Sequence, residues 1–388
     1  MVANRVKRVA PSATLSITAK AKALKAAGSD IISLSAGEPD FDTPAHIKNS
    51  LNNAVENGFV YYTPSAGIIE LRKAISKKLK TDNNIAYDPK TEVICTPGAK
   101  HALFEAILAI TNPEDEILIP SPFWVSYEPM VQLAGGKPVF IETNEENRFQ
   151  LTSEALDNKI TKKTKGIIIN SPNNPTGAVF KKKDLKKIAG ICSANEIKVI
   201  SDEIYEKIIY SKKHISIATF PEMKECTITI NGFSKAYSMT GWRLGYAAAP
   251  SELITAMGRI QEHSVSCPTS FVQKAGITAL ESSQECVKQM VKEYRKRRNV
   301  IVKYLNDIEN VTCTMPDGSF YVFANFSFYE KDSLKLTDYL LSKGGVSVIP
   351  GSAFGDLGEG YLRISYATNM ENILEGLERI KKAIKELN

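Results

Sequence analysis

Short β-rich runs alternate with longer segments of helical periodicity between residues 91 and 249. Seven runs are rich in apolar and β-branched residues and are bounded by Pro, Gly or Asn: TEVICT (91–96), DEILIP (115–120), KPVFIE (137–142), KGIIIN (165–170), IKVISD (197–202), TITIN (227–231) and LGYAAA (244–249). Strands separated by helices in this way predict an α/β fold, with a mainly parallel sheet covered by helices on both faces. In such sheets, ligands bind at the carboxyl ends of the strands.

The pattern changes after about residue 250. A long charged helix is predicted at SQECVKQMVKEYRKRRNVIVKYLNDI, and a mixed segment runs from GSFYVFANF to YLRISYA. This predicts a second, smaller α+β domain that N-terminal residues complete, and 388 residues are enough for two domains. We therefore expect an N-terminal arm with part of the small domain (1–45), a large domain (46–285) and a small C-terminal domain (286–388).

The charge distribution argues against nucleic acid and membranes as partners. There are 49 basic and 43 acidic residues, a net charge of +6. The lysines are spread thinly, as in KKLK (77–80) and KKKDLKK (181–187), which are typical of solvated helix faces. No basic arm or aromatic-interleaved patch favours nucleic-acid binding, and no run approaches the ~18 apolar residues of a membrane span.

The cysteines indicate a reducing compartment. The six cysteines, at positions 95, 192, 226, 267, 286 and 313, lack CxxC spacing, and several lie within apolar runs. This is typical of reduced, buried thiols. The first residues lack the apolar core of a signal peptide. We expect a cytoplasmic protein without a metal site.

Chemically distinctive side chains follow three of the predicted strands. Lys235 follows TITIN in an otherwise small, aromatic and apolar stretch, KVISDEIYE carries Asp202 and Tyr205, and IIINSPNNPTG brings Asn174. An amine, a carboxylate, a phenol and an amide should therefore face one crevice, where a partly buried lysine becomes nucleophilic. Each residue alone has a plainer interpretation: a lysine reaching out of a loop, a helix cap, a Pro-Gly turn.

A strand, a glycine turn and a helix start follow one another in CTPGAKHALFEAI, around Gly98, Ala99 and Lys100. A helix N-terminus presents unpaired N–H groups and the positive end of a dipole, which suit a phosphate. Every strand-to-helix turn has some of this character. Ser234 and Arg243, which flank Lys235, would complete the phosphate site.

The segment SKAYSMTGWRLGY resembles the pyridoxal-phosphate attachment motif of class I aminotransferases. The resemblance extends across nearly the whole chain, in the family's order, through SLSAGEPDFDTP (33–44), YYTPSAGIIELR (61–72), PGAKHAL (97–103), PSPFWVSYEPM (120–130), NSPNNPTG (170–177), SDEIYE (201–206), PGSAFG (350–355) and YLRISYA (361–367). It is similar in particular to the prokaryotic aspartate aminotransferase subgroup. The resemblance implies a fold type I transferase that forms a homodimer and exchanges amino groups between an L-amino acid, expected to be aspartate, and 2-oxoglutarate by a ping-pong mechanism.

The resemblance also implies how the cofactor, pyridoxal 5'-phosphate, is held. Lys235 would form the Schiff base and then move the proton, and Asp202 would keep the pyridine nitrogen protonated. Tyr205 and Asn174 would hydrogen-bond the 3-oxygen. Trp124 would stack on the ring, although it could also be an ordinary core tryptophan. The residues implied to surround the phosphate are Gly98, Ala99, Lys100, Ser234, Arg243 and, from the neighbouring subunit, Tyr62.

For the substrate, Arg363 in YLRISYA matches the arginine that binds the α-carboxylate in a two-pronged salt bridge. Gly37 would approach the substrate through its backbone, and Trp124 and Asn174 would also contact the substrate. Lys100 matches the lysine that aspartate-preferring members place beside the side-chain carboxylate.

The second substrate stays open. The subgroup's KPSAT reads APSAT here, so Ala10 puts an extension to prephenate in doubt. Aromatic or broad specificity remains an alternative. A pyridoxal-phosphate lyase on the same fold would share Lys235, Asp202 and Arg243.

Overall fold

The computed structural model describes residues 2–211 and 213–387. The strands of these residues are β1 (Ile32–Ser33), β2 (Val93–Thr96), β3 (Glu116–Ser121), β4 (Lys137–Glu142), β5 (Thr164–Asn170), β6 (Lys198–Asp202), β7 (Thr227–Gly232), β8 (Gly245–Ala248), β9 (Thr312–Cys313), β10 (Tyr321–Asn325), β11 (Val346–Ser347), β12 (Ile349–Pro350) and β13 (Tyr361–Ser365).

The α-helices are α1 (Asn4–Lys7), α2 (Ala13–Ala26), α3 (Ala45–Glu56), α4 (Ile69–Asn83), α5 (Ala99–Ile110), α6 (Tyr127–Leu133), α7 (Ser153–Asp157), α8 (Lys182–Ala194), α9 (Ser251–Ser264), α10 (Ser270–Glu281), α11 (Glu285–Asn306), α12 (Ser333–Ser342) and α13 (Met370–Ile384). Short 3-10 helices lie at Ile217–Thr219, Met223–Cys226, Gly351–Phe354, Asp356–Gly358 and Lys385–Leu387.

The seven predicted strands are all present and form one sheet in the order β2-β8-β7-β6-β5-β3-β4. Only β8 runs antiparallel to its neighbours, so the predicted mainly parallel sheet is confirmed. Successive residues of each strand point to opposite faces. As a result Ile168 and Ile200 join one apolar cluster, whereas Ile167, Ile169 and Val199 join another. Both faces are thus packed, as expected for parallel strands between helices.

A smaller antiparallel sheet forms in the C-terminal part of the chain, in the order β12-β13-β10-β9. The predicted charged helix is present as α11 and packs against β9 and β10. N-terminal residues join this region, because β1 pairs in parallel with β11 and contacts α13. These contacts support a small domain completed from the N-terminus. The boundaries at 45 and 285 remain our proposal, and residues 1 and 388 lie outside the described residues.

The sequence prediction was wrong for Lys78, which we expected on a solvated face of α4. Lys78 is only 8% exposed. Leu71, Ile75 and Leu79 recur at helical spacing on the buried face of α4, and Lys78 lies at the edge of that stripe. Its ammonium group donates hydrogen bonds to Glu206 and to Asn83 Oδ1.

Two further expectations concern the reduced state of the cysteines and the presence of membrane-spanning helices. All six cysteines are free thiols; Cys95, Cys192 and Cys313 are buried and the other three are half-buried. Over residues 2–211 and 213–387, no helix is both long and apolar enough to cross a membrane.

Candidate active site

Three neighbouring strands of the large sheet end at one place. In the register of the sheet, Asn170 of β5 lies beside Asp202 of β6, and Asp202 lies beside Ile230 of β7. Asn174, Tyr205 and Lys235 lie in the turns that follow these strands. The parallel register therefore brings together the amide, carboxylate, phenol and amine that the sequence placed at separate strand ends.

Asp202 lies at the centre of this group and is 3% exposed. Its Oδ2 accepts a hydrogen bond of 2.6 Å from the Tyr127 hydroxyl, and its Oδ1 accepts one of 3.2 Å from the Ile204 backbone N–H. Burial raises the pKa of Asp202 to about 6, and the hydrogen bond from Tyr127 opposes that rise. A cationic partner would stabilise the ionised form of this carboxyl group.

Lys235 is half-buried, and its ammonium group donates to the carbonyl oxygen of Gly37. The nitrogen lies 5.8 Å from the ring centre of Tyr205 and 5.7 Å from that of Phe320. Burial, together with the positive charge of Arg363, lowers the pKa of Lys235 to about 8. A substantial fraction of the amine is therefore neutral near pH 7 to 8, as a nucleophile or a base requires.

The glycine turn before α5 forms a close-fitting corner with Arg243. Gly98 has a φ of 88°, and a Cβ built there would lie 2.6 Å from Arg243 Nη2, so only glycine fits. Arg243 Nη1 donates to the Thr240 carbonyl oxygen at 2.8 Å. Ala99 begins α5, and the buried Ser234 precedes Lys235. A guanidinium group thus lies against the N-terminus of a helix, an arrangement that suits an anion.

Lys100 lies beside this corner. The residue is exposed, but its Nζ is 4.9 Å from the ring centre of the half-buried Trp124. Loss of water around the ammonium group, and then repulsion from Arg243, lower the pKa of Lys100. Trp124 in turn meets the Tyr127 ring edge-on, at 5.4 Å between centres. Lys100 is therefore connected to Asp202 through two aromatic side chains.

Arg363 of β13 enters the site from the smaller sheet and is 3% exposed. Its Nη1 donates to Asn174 Oδ1 at 3.2 Å and its Nη2 to the Ser35 carbonyl oxygen at 2.8 Å. Its Nε is buried without a hydrogen-bond partner within the described part of the chain. Burial lowers the pKa of Arg363, which nevertheless remains charged. A desolvated guanidinium group with an unused donor suits a carboxylate ligand.

Gly37 and two tyrosines line the space between Arg363 and Lys235. The hydroxyl groups of Tyr205 and Tyr321 are 3.1 Å apart, and the Arg363 guanidinium lies 4.3 Å from the Tyr321 ring centre. A Cβ added to Gly37 would lie 3.3 Å from the Tyr321 hydroxyl. A side chain at position 37 would therefore crowd the site.

Tyr62 does not join this buried group. It is 90% exposed, and the adjacent Tyr61 is 81% exposed. The single chain leaves both rings uncovered.

Sequence reasoning missed several residues that hold the site together. Tyr127 lies within PSPFWVSYEPM, but nothing in the motif singled it out as a partner of Asp202. Asn170 donates to the Asp202 carbonyl oxygen at 3.0 Å and accepts from the Asn174 backbone N–H at 2.8 Å. Its position at the end of a buried strand was a signal that could have identified it. Tyr321 and Ser35 had no local signal.

The arrangement fits the predicted cofactor. Asp202 is a buried acid that a cation would stabilise, as a protonated ring nitrogen would. Lys235 has a lowered pKa, as a Schiff-base lysine requires. The Gly98 and Arg243 corner suits a phosphate, and Arg363 has an unused donor for a substrate carboxylate.

Comparison with known proteins agrees with this site. A model of the family Aminotransferase class I and II matches residues 29–380. An aspartate aminotransferase of Bacillus subtilis (strain 168) is 45% identical over 99% of this chain and 99% of its own length. An aromatic-amino-acid aminotransferase of Thermococcus litoralis is 45% identical over 92% of both. The solved structure of Thermus thermophilus aspartate aminotransferase with maleate is 40% identical and matches with a TM-score of 0.95 over 99% of both chains.

These matches confirm the resemblance seen in the motifs and the fold inferred from them. The family uses pyridoxal phosphate, and the strand-end residues described above fit that cofactor. The chain therefore belongs to the class I and II aminotransferase family, as a pyridoxal-phosphate-dependent enzyme of fold type I.

Proposed function

We propose that the protein transfers the amino group of aspartate to 2-oxoglutarate. Lys100 is the observation that carries this substrate choice, because its ammonium group, beside the Trp124 ring, is a cation for a second carboxylate in addition to Arg363. A dicarboxylate requires two cationic partners, and the similarity to a Thermus thermophilus aspartate aminotransferase with maleate supports such a ligand. The similarity to an aspartate aminotransferase of Bacillus subtilis supports the same choice.

The proposed chemistry divides among the residues at the three strand ends, which we call the cofactor floor: Asn174, Asp202, Tyr205 and Lys235. Bound pyridoxal phosphate supplies an electron sink for negative charge at the substrate Cα. Lys235, with its lowered pKa, would anchor the cofactor and then carry the proton at Cα. Asp202, held by Tyr127, would be the anion that keeps the ring nitrogen protonated. Tyr205 and Asn174 would bind the 3-oxygen, and Trp124 would pack against the ring.

Two groups of residues hold the anionic ends of cofactor and substrate. Arg363 binds the α-carboxylate, with its Nε and Nη donors, while Gly37 leaves space for the substrate backbone. Trp124 and Asn174 also line the substrate space. The residues that would bind the phosphate are Gly98, Ala99, Lys100, Ser234 and Arg243. Two anions would lie within the role of Lys100 in this proposal: the cofactor phosphate and the second carboxylate of the substrate.

A broad or aromatic specificity is the second candidate. The Arg363 guanidinium lies 5.2 Å from the Phe354 ring centre, and Phe354 belongs to an apolar cluster with Phe323 and Ile349. Apolar side chains packed beside the carboxylate-binding arginine favour an aromatic substrate over one with a second carboxylate. The similarity to an aromatic-amino-acid aminotransferase of Thermococcus litoralis supports this candidate.

The dimer and the cellular location are also part of the proposal. Val60, Tyr61 and Tyr62 form an exposed apolar patch, with Tyr62 90% exposed. Consecutive exposed residues of this kind favour an interface, and we propose that Tyr62 reaches the phosphate in the partner's site. Six free thiols support a reducing, cytoplasmic location.

Half-reactions with the purified holoenzyme test the proposal. Each of aspartate, glutamate, phenylalanine, tyrosine and alanine is added without an acceptor, and the cofactor absorbance is followed. Aspartate and glutamate should convert the cofactor fastest, and 2-oxoglutarate should restore the initial spectrum. Faster conversion by phenylalanine would favour the aromatic candidate. Pyruvate and ammonia released without a keto-acid acceptor would instead identify a lyase.

A further inference from the structure

A buried ionic cluster lies behind Asp202, and the proposed reaction does not use it. Glu203 accepts hydrogen bonds from Ser201 Oγ at 3.0 Å and from His214 Nε2 at 2.9 Å. Glu206 accepts from the Lys78 ammonium group and from Asn83 Nδ2, the latter at 2.7 Å. The exposed fractions of the four charged side chains are 1% for Glu203, 6% for Glu206, 7% for Lys78 and 9% for His214.

The charges of this cluster balance only when His214 is protonated. Glu203 and Glu206 carry two negative charges, and Lys78 supplies one positive charge. The side chains of Glu203, Glu206 and His214 approach within 4.8 Å of one another. An unbalanced charge in so small a buried volume is strongly unfavourable, so a proton on the histidine completes the cluster.

The backbone connects this cluster directly to the active site. Glu203 is the next residue after Asp202 at the end of β6, and the Glu203 backbone N–H donates to the Ile230 carbonyl oxygen at 2.9 Å. Ser201 and Glu203 form one side of the strand end, while Asp202 points to the other side, towards Tyr127. An anchored Glu203 therefore restricts the peptide that carries Asp202.

We propose that protonated His214, paired with Glu203, is a positioning residue that holds Asp202 in place and keeps it ionised for the cofactor. This inference rests on the proposed role of Asp202. If the His214 proton were lost, the Glu203 charge would be unbalanced beside Asp202. Because a nearby negative charge disfavours ionisation of a carboxyl group, Asp202 would then be protonated more readily.

The titration behaviour of the cluster agrees with this geometry. Burial alone would lower the pKa of His214, but Glu203 and then Glu206 raise it above its ordinary value. Burial would raise the pKa of Glu206, yet Lys78 and His214 lower it to about 2. Glu203 itself contributes to the raised pKa of Asp202. The described titratable or charged groups that face this cluster are Lys78, Tyr87, Glu203, Glu206, Tyr237 and Tyr246, with Asp82 and Lys207 at its rim.

The test measures cofactor binding by apo-protein as a function of pH, so its readout is independent of turnover. Binding should weaken as pH falls through the pKa of Asp202, near 6. In His214→Gln the amide can still bond Glu203, but the positive charge is gone. The pH at which cofactor binding falls to half as the solution is acidified, which we call the acid midpoint, should then rise by about half a pH unit to one pH unit. Glu203→Gln should move the midpoint down.

The double variant Glu203→Gln/His214→Gln separates electrostatics from folding. With both charges removed, the midpoint should return close to the wild-type value, whereas a structural defect would persist. His263→Gln is the control, because His263 is exposed in the last turn of α9 and does not belong to this cluster. It should leave the midpoint unchanged. Glu203→Gln keeps the test decisive if His214→Gln fails to fold.

Asp202→Asn distinguishes this inference from the proposed function. Loss of the acid midpoint in Asp202→Asn, together with an unchanged midpoint in His214→Gln, would overturn the role of His214 alone. A midpoint that Asp202→Asn leaves in place would overturn the role of Asp202 in cofactor binding. A double variant as shifted as His214→Gln would show that His214 acts only through packing.

Discussion

The site has two sides that are built in different ways. The proposed cofactor floor, formed by Asn174, Asp202, Tyr205 and Lys235, comes from three adjacent strand ends of one sheet. The proposed substrate wall, formed by Ser35, Gly37, Tyr321 and Arg363, depends on contacts between remote segments. Arg363 bonds Ser35 across 328 positions of sequence, and Lys235 bonds Gly37 across 198.

From this difference we expect the floor to carry the chemical step and the wall to recognise the substrate. One sheet edge fixes the backbone positions of the floor, although Asn174, Tyr205 and Lys235 also form hydrogen bonds with residues of the wall. The wall exists only when the N-terminal segment, the large sheet and the smaller sheet pack together. Floor variants should therefore lose the chemical step, whereas wall variants should lose substrate affinity.

The largest expected effect is at the floor. Asp202→Asn removes the anion that, in our proposal, balances the protonated ring nitrogen. We expect kcat to fall roughly 100-fold to 1000-fold or more, as when another electrostatic group of an active site is removed. Steady-state kinetics with saturating cofactor measures this. A kcat within about threefold of wild type would mean that the floor does not supply the chemistry.

The same substitution should stabilise the apo-protein against unfolding. The folded-state pKa of Asp202 is about 6, above the ordinary 3.8, so the folded protein binds more protons between these values. Its stability should fall as pH rises from about 4 to about 6 and should stay lower above that. Asp202→Asn should lack this loss and should unfold at higher denaturant concentration at pH 7. If the stability of Asp202→Asn depended on pH in the same way as that of the wild type, burial of the Asp202 carboxylate would not be the cause of the loss.

Arg363→Lys keeps the positive charge of the wall and tests the paired hydrogen bonds that only arginine can donate. Lysine cannot supply two parallel donors, so kcat/KM should fall about 30-fold to 1000-fold for every amino acid, corresponding to about 2–4 kcal/mol. The loss should appear mainly in KM, and cofactor binding should be unchanged. A defect confined to aspartate would contradict a role in binding the common α-carboxylate.

Lys100→Ala tests the connection between the two sides. If Lys100 binds the second carboxylate, kcat/KM for aspartate should fall roughly 5-fold to 150-fold while phenylalanine and alanine change far less. Equal losses for aspartate and phenylalanine, or weaker cofactor binding, would assign Lys100 to the phosphate instead.

Tyr62→Phe should have the smallest effect, because it removes one hydrogen bond to an anion, worth about 10-fold in cofactor affinity. Mixing this variant with Lys235→Ala extends the comparison to the partner subunit. After subunit exchange, one site of each hybrid should carry neither substitution, and it should bind the cofactor with wild-type affinity, about 10-fold more tightly than the Tyr62→Phe parent. A hybrid that binds the cofactor as weakly as Tyr62→Phe, with exchange verified, would mean that each site is built from one chain.

The sequence by itself determined the elements and most of the floor. Apolar and β-branched runs bounded by Pro, Gly or Asn predicted all seven strands of the large sheet, because residue types within a short stretch favour the extended chain. The rule that ligands bind at strand ends placed Asp202, Tyr205 and Lys235 together, and the ordered motifs identified the family. These signals lie within short stretches of chain, where neighbours in sequence are also neighbours in space.

Only the tertiary structure decided the partners and the charge states. Lys78 looked like a surface lysine, yet it is buried against Glu206, which lies 128 positions away. Tyr127 bonds Asp202 across 75 positions, and burial gives Lys235 its lowered pKa. Desolvation and Coulomb interactions depend on distances between atoms, and folding sets those distances between segments that local sequence patterns do not connect.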